Sequence, residues 1–331
     1  MTFEKVRTNF ITSVPWSLGI ASNITNKPKK VKLPGNKSIV LFRTKDNTIK
    51  AIDDVCPHRG ASFSQGKVKG DCIECPYHGW TYDGNGHLHF IPSNLNKSKP
   101  LNADVESYII KEYNNFVWIL PDYEIEIPYC KELSTNKYNR VTGESVVKGN
   151  WIDWVANGLD ISHINYVHDF ADENNGEITD FKTYHLANSI KCKAYVRPKA
   201  VSVMTEPMQV RQCPIRAEFF YPNTSIVKIK LKDPYEFITY TTITPQTEDT
   251  SLMTWCFAYN INLLDPIAMK ILKTKFHNEM LKTISEDEAI IKNLGPFDFD
   301  VNVPCDMYQI QGLKKIKELL EQEGEKSLIG V

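Results

Sequence analysis

Over the first 120 residues the apolar positions fall in short runs closed by turn residues: KSIVLFRT, NTIKAIDD, CIECPYHGWTYD, GNGHLHFIP and NNFVWILP. Val, Ile, Phe, Trp and Tyr make the runs while Gly, Asn, Asp and Pro end them, a pattern that predicts short strands of an all-β module. The texture changes at 121–130 (PDYEIEIPYC), and a helical segment is expected over 151–168. Longer strand patterns follow: SIVKIKLK, with Val227, Ile229 and Leu231 inward and the lysines outward, then FITYTTIT and LMTWCFAYNINL. Asp265-Pro266 reads as a helix start, because Asp caps free N–H groups and Pro fits the first turn. Phe276, Met280, Ile284, Ile291 and Leu294 then hold one apolar stripe to about Leu294. The expected fold class is α+β, an all-β module at 1–121 followed at 122–331 by an antiparallel sheet with a long helix.

Composition narrows the function. The 331 residues carry 39 basic and 40 acidic side chains, a formal charge of −1, so there is no electrostatic case for a nucleic-acid partner. The densest basic run, NKPKKVKL at 26–33, is interrupted by Pro28 and reads as a solvated loop. The opening MTFEKVRTNFITSVPW lacks the apolar run of a signal peptide, and no stretch approaches 18 apolar residues. A soluble, intracellular (cytoplasmic) protein without a membrane span is expected. Eight cysteines, mostly scattered singly, fit a reducing compartment rather than a disulfide framework. Cys72 makes a C-x-x-C with Cys75, but the histidines beside Cys75 make that pairing incidental.

Residues 56–80, CPHRGASFSQGKVKGDCIECPYHGW, interleave cysteine and histidine. Cys56 and His58 form one knuckle and, sixteen residues on, Cys75 and His78 form the other. A zinc ribbon pairs cysteine with cysteine at each knuckle. Soft mixed donors suit zinc or an iron–sulfur cluster. A two-iron cluster with two cysteines on one iron and two histidines on the other needs one ligand of each kind from each loop, as Cys-x-His and Cys-x-x-His provide. This stretch resembles the Rieske motif, with the arginine, glycines and tryptophan of its form in Rieske-type non-haem iron oxygenases.

Downstream, GNWIDWVANGLDISHINYVHDF sets Asn157, Asp160 and His163 at spacings of three, near one helical face. His168 lies five residues beyond His163, about 140° round an ideal helix, so both rings face one metal only if the helix bends or ends between them. The run N-x-x-D-x-x-H-x4-H resembles the iron motif of the same family, which implies a 2-His-1-carboxylate triad with coordination positions left open. The family takes its carboxylate from a distant helix. SEDEAII resembles that site and places Asp287 in the apolar stripe, with Glu286 and Glu288 to its sides. The resemblance therefore implies Cys56, His58, Cys75 and His78 around a [2Fe-2S] Rieske cluster, and His163, His168 and Asp287 around mononuclear Fe(II). It implies that Asp160 carries electrons from the His78 side of a neighbouring chain to His163, hence a homotrimer. An aspartate that merely orients His163 from behind fits the same position.

The family's second domain is a helix-grip (START-like) fold, in keeping with the strand patterns and the helix at Asp265. Neither G-x-G-x-x-G nor plant-ferredoxin cysteine spacing occurs, so electrons are expected from a separate ferredoxin or NAD(P)H-dependent reductase. Length and organisation resemble the subgroup without a small β subunit, that of dicamba-type demethylases and chlorophyllide and phaeophorbide oxygenases. The implied activity is hydroxylation or oxidative demethylation of a small, ring-containing molecule with O2. The charged ending KKIKELLEQEGEKSLIGV departs from the apolar C-terminal segments of the membrane-bound chloroplast enzymes. An electron-transfer Rieske protein with a non-catalytic ligand-binding domain is the rival reading. Aromatic residues such as Phe170, Tyr184, Phe219 and Phe237 read as strand core or pocket wall alike.

Overall fold

The computed structural model describes residues 13–33, 37–93, 103–169, 177–196, 213–295 and 301–329, so Phe170 lies outside the described residues. The chain divides into two compact units, Ser13–Ile127 and Pro128–Val331.

The first unit is built of short antiparallel strands: β1 (Trp16–Ile20), β2 (Lys29–Leu33), β3 (Lys37–Arg43), β4 (Ile49–Asp53), β5 (Lys67–Lys69), β6 (Cys72–Glu74), β7 (Thr81–Asp83), β8 (Leu88–Phe90), β9 (Ile109–Tyr113) and β10 (Phe116–Leu120). They form sheets of order β1-β10-β9, β2-β3-β4 and β5-β6-β7-β8. The unbroken apolar run of β3 has a direct cause: both its faces are buried. Ile39 and Leu41 enter one core with Leu18 and Val117, whereas Val40 and Phe42 enter another with Cys56, Cys75, Phe63 and Tyr82. The segment CIECPYHGWTYD is two strands, β6 and β7, and the loop between them carries Cys75 and His78.

The second unit contains β11 (Asn139–Lys148), α1 (Trp151–Leu159), α2 (Ile164–Val167), β12 (Thr179–His185), β13 (Ser189–Val196), β14 (Cys213–Phe220), β15 (Thr224–Lys230), β16 (Glu236–Pro245), β17 (Thr250–Tyr259), α3 (Pro266–Ile291) and α4 (Met307–Ile329). Its strands form one antiparallel sheet of order β11-β17-β16-β15-β14-β13-β12. The long helix α3 lies against the sheet, as a helix-grip fold requires. Asp265 caps it by accepting from Ile267 N at 2.8 Å. Leu272, Phe276, Met280, Ile284, Asp287 and Ile291 are its buried stripe, and Phe276 packs on Phe237, Phe257 and Tyr259. The expected stripe is one residue too long, since Leu294 lies beyond the end of α3 and is exposed.

The single helix expected over 151–168 is two helices. α1 stops at Leu159 and Asp160 is extended (φ −90°, ψ 110°). The Asp160 carboxylate accepts from Ser162 N (2.8 Å), Ser162 Oγ (2.5 Å) and His163 N (3.3 Å), offering those groups an alternative to helical bonding. α4 steadies this corner: Gln309 Nε2 donates to Ala156 O, near the end of α1, at 2.8 Å. Among the described residues no helix is long and apolar enough to cross a membrane.

Candidate metal centres

The two knuckles of the first unit share one backbone design. In each, the N–H four residues after the cysteine donates to the cysteine carbonyl: Gly60 N to Cys56 O at 2.8 Å, and Gly79 N to Cys75 O at 3.1 Å. In each, the cysteine N–H donates five residues on, to Ala61 O at 2.9 Å and Trp80 O at 2.8 Å. Gly60 (φ +74°) and Gly79 (φ +70°) occupy the left-handed region that closes these turns, which explains a glycine at the same offset in CPHRG and CPYHG.

The turns bring the four expected ligands together. Cys56 and Cys75 are buried and in mutual contact, and burial, reinforced by Cys75, pushes the Cys56 thiol up to about 11. The His58 and His78 rings stand edge to face with centroids 4.5 Å apart, and Trp80 stacks on His58 at 4.4 Å. His58 is held below its ordinary pKa by burial and then by His78 and Arg59. Its Nδ1 is buried with no hydrogen-bond partner. Two buried thiols beside two imidazoles, one with an orphaned ring nitrogen, are a donor set that a cluster with two cysteine and two histidine ligands satisfies. Cys72 sits in β6 opposite Asp83, outside this group.

In the second unit, His163 caps α2 at its start, His168 at its end, and α3 supplies Asp287. α2 ends at Val167 and His168 is extended (φ −104°, ψ 133°), which takes its ring off the helical spiral and resolves the angular conflict between the histidines. Asp287 Oδ1 lies 3.5 Å from His163 Nε2 and 3.4 Å from His168 Nε2, and one donor atom from each residue falls within 4.8 Å of the others. Behind each ring is an acceptor for Nδ1–H: Asp160 O at 2.6 Å for His163, and Glu286 Oε2 at 3.0 Å for His168. These partners assign both rings as Nδ1–H tautomers with the Nε2 lone pairs directed at Asp287. Burial lowers the pKa of both rings, which keeps them neutral.

Burial also pushes the Asp287 carboxyl up to about 6, against the pull of His163 and of Asn157, whose Nδ2 donates to Oδ1 at 3.2 Å. Two nitrogen lone pairs and a buried carboxylate facing one another are mutually unfavourable until a cation sits among them. Two histidines and one carboxylate are the donor set of non-haem Fe(II).

All eight residues singled out in the sequence fall at these two places. Asp160 differs in detail. Its carbonyl, not its carboxylate, bonds the His163 ring, while Oδ2 stays 4.0 Å from Nδ1. Glu286, expected merely at the side of α3, is the partner of His168, a through-space relation that no local sequence signal carries.

Beside the triad lies a cavity of about 360 Å³. Phe219, Val227, Ile229, Phe237, Met280 and Ile284 are among its walls. Val227, Ile229 and Leu231 therefore do share a face, and it is the cavity face. Tyr184, on the edge strand β12, is exposed instead.

Residues 18–111 match the Rieske [2Fe-2S] domain family, and 147–322 match the vanillate O-demethylase oxygenase C-terminal domain family. Cholesterol 7-desaturase of Ciona intestinalis is 36% identical over 135 residues, 39% of this chain and 28% of that one. Methylxanthine N3-demethylase of Pseudomonas putida is 27% identical over 317 residues, 88% of this chain and 83% of that one. The matches span about a third of the length of the first curated relatives. A crystal structure of dicamba monooxygenase bound to dicamba superposes with a TM-score of 0.82 at 19% identity, covering 96% of this chain and 99% of that one. That likeness is one of fold.

Proposed function

We infer the function from one premise: the chain belongs to the family of Rieske proteins whose C-terminal half is the vanillate O-demethylase oxygenase C-terminal domain. It is a Rieske non-haem iron monooxygenase that hydroxylates or oxidatively demethylates a small, ring-containing organic substrate, using O2 and electrons from a separate ferredoxin or reductase. The cluster belongs to 1–121, on Cys56, His58, Cys75 and His78. The mononuclear iron belongs to 122–331, on His163, His168 and Asp287. When bound, these groups supply one-electron transfer and dioxygen activation.

The chain's own residues prepare that chemistry. Asp160 O and Glu286 hold the two imidazoles with Nε2 forward, and Asn157 fixes the free rotation of the Asp287 carboxylate. The apolar walls exclude water from the place where a substrate carbon must lie. The assembly is a homotrimer in which Asp160 links the Rieske histidine of a neighbouring copy to His163. The relatives named for demethylation and desaturation support the reaction class.

The observation that carries the reading is the convergence of His163 Nε2, His168 Nε2 and Asp287 Oδ1 beside an apolar cavity. It is tested by exposing reduced, iron-loaded protein, supplied with NADH and a surrogate Rieske reductase, to 18O2 and a panel of ring-containing substrates. An 18O-labelled alcohol, or formaldehyde from a methyl ether or amine, is expected. A cluster that cycles under these conditions with no oxygen consumed in any combination would leave the electron-transfer protein as the reading.

A further inference from the structure

The cavity beside the triad is long, and two elements measure it independently. On β16 four successive inward positions, Phe237, Thr239, Thr241 and Ile243, line it. Six residues at about 3.4 Å each span about 20 Å. On α3 the lining runs from Lys275 through Phe276, Met280 and Ile284 to Asp287. Twelve residues at 1.5 Å each span about 18 Å.

The two elements are also in register. Phe276 packs on Phe237 at 5.6 Å and on Phe257 at 4.9 Å. At the other end Glu288, next to Asp287, accepts from Lys148 N at 3.2 Å, and Lys148 pairs with Thr250. The triad thus marks one end of the cavity and Lys275 the level of the other.

Between these ends the wall across the sheet is mostly apolar, and its polar side chains, Thr239, Thr241, Ser225 and Asn223, are all uncharged. Ile215, Ile229 and Phe237 form one cross-strand row; Ala217, Val227 and Thr239 form the next. A single-ring molecule at the triad fills less than half of this length and leaves apolar wall in contact with water. A carboxylate lodged along these rows lies against alkyl and aryl groups and the Thr239 hydroxyl, with no cationic side chain in either row, and a buried charge without a counter-charge is costly. Lys275 and Glu279, one turn apart on α3, offer hydrogen-bonding groups towards the remote end.

We propose that the substrate is an elongated, uncharged hydrocarbon skeleton that lies along α3, with its oxidised carbon at the triad and a hydroxyl or carbonyl group at the Lys275 end. The proposal rests on the oxygenase reading and adds to it the shape and polarity of what is oxidised. A rigid fused-ring system and a linear chain share this chemistry; the chain form keeps the oxygenase reading and replaces its ring-containing substrate.

The test is equilibrium dialysis on the iron- and cluster-loaded protein with four probes: testosterone, 1-dodecanol, anisole and 2-methoxybenzoate. Iron and sulfide are measured first on the same preparation. Missing mononuclear iron refutes the oxygenase reading itself, whereas full iron with no preference for length refutes only this proposal. At least one elongated probe is expected to bind more than about tenfold tighter than both compact ones. A preference for testosterone assigns the fused-ring form, and one for 1-dodecanol the chain. Anisole or 2-methoxybenzoate binding as tightly as both elongated probes overturns the proposal. Thr239→Phe, which narrows the cavity at the second inward position of β16, is expected to weaken the preferred elongated probe by more than about tenfold and anisole by less than about threefold. Equal loss for both overturns the proposal, and Val227→Phe makes the same test on β15 should the first variant lose its metals.

Discussion

Glu286 Oε2 sits 3.0 Å from Nδ1 of His168 and so decides which nitrogen of that ring faces Asp287. Lys282 Nζ lies 3.7 Å from the other carboxylate oxygen and also pairs with Asp169, which ties the outer carboxylate to a fixed cation. His163 has a backbone carbonyl in the corresponding place, so the two rings are backed by unlike groups.

Glu286→Ala is therefore expected to weaken Fe(II) binding by about 10- to 100-fold, the usual effect of removing a group that orients a metal-bound histidine. Glu286→Gln, which keeps an acceptor oxygen but not the charge, should fall between that variant and the parent. Competition with a chelator measures both, and an unchanged Rieske EPR signal shows that the effect is confined to one site.

His163→Ala and Asp287→Ala each remove one of three donors that lie within 4.8 Å of one another. Both variants are expected to lose about one iron of three per chain while retaining the acid-labile sulfide. Metal analysis of the purified variants reads this directly. Loss of the whole iron complement would contradict two separate centres.

Asp160→Asn keeps an oxygen that can accept from Ser162 N and His163 N but removes the negative charge. Both metal centres should remain loaded while electron delivery to the mononuclear iron slows. Single-turnover mixing of cluster-reduced protein with oxygen and substrate measures that rate. Unimpaired, coupled turnover would remove Asp160 from the electron path.

Gly60 and Gly79 separate strain from crowding. A Cβ at Gly60 meets nothing within 4 Å, so Gly60→Ala carries the left-handed backbone cost alone, about 1–2 kcal/mol. At Gly79 the same strain is joined by a contact of 3.1 Å with Pro92 Cγ, so Gly79→Ala should cost more and disturb His78 as well. Chemical denaturation monitored at the cluster absorption gives the order of the two.

The cluster loops were legible in the sequence because each knuckle is a local turn: the ligands and the glycine that closes the turn lie within five residues. The long helix was legible for the same reason, since Asp265 and Pro266 act on the N–H groups next to them. The corner at Asp160 was not. A spacing of three suits a helical face and a broken helix equally, and the break comes from a side chain competing for Ser162 and His163 N–H groups. The role of Glu286 is not legible in the sequence because its partner is 118 residues away. The length of the cavity likewise emerges only when α3 and β16 are laid side by side.

One chain is expected to hold both a Rieske cluster and a separate mononuclear iron. Anaerobic iron and sulfide analysis with low-temperature EPR, before and after dithionite, tests it most directly. About three irons and two sulfides per chain, with a Rieske signal on reduction, are predicted. Zinc in place of iron, or iron without sulfide, would contradict the account.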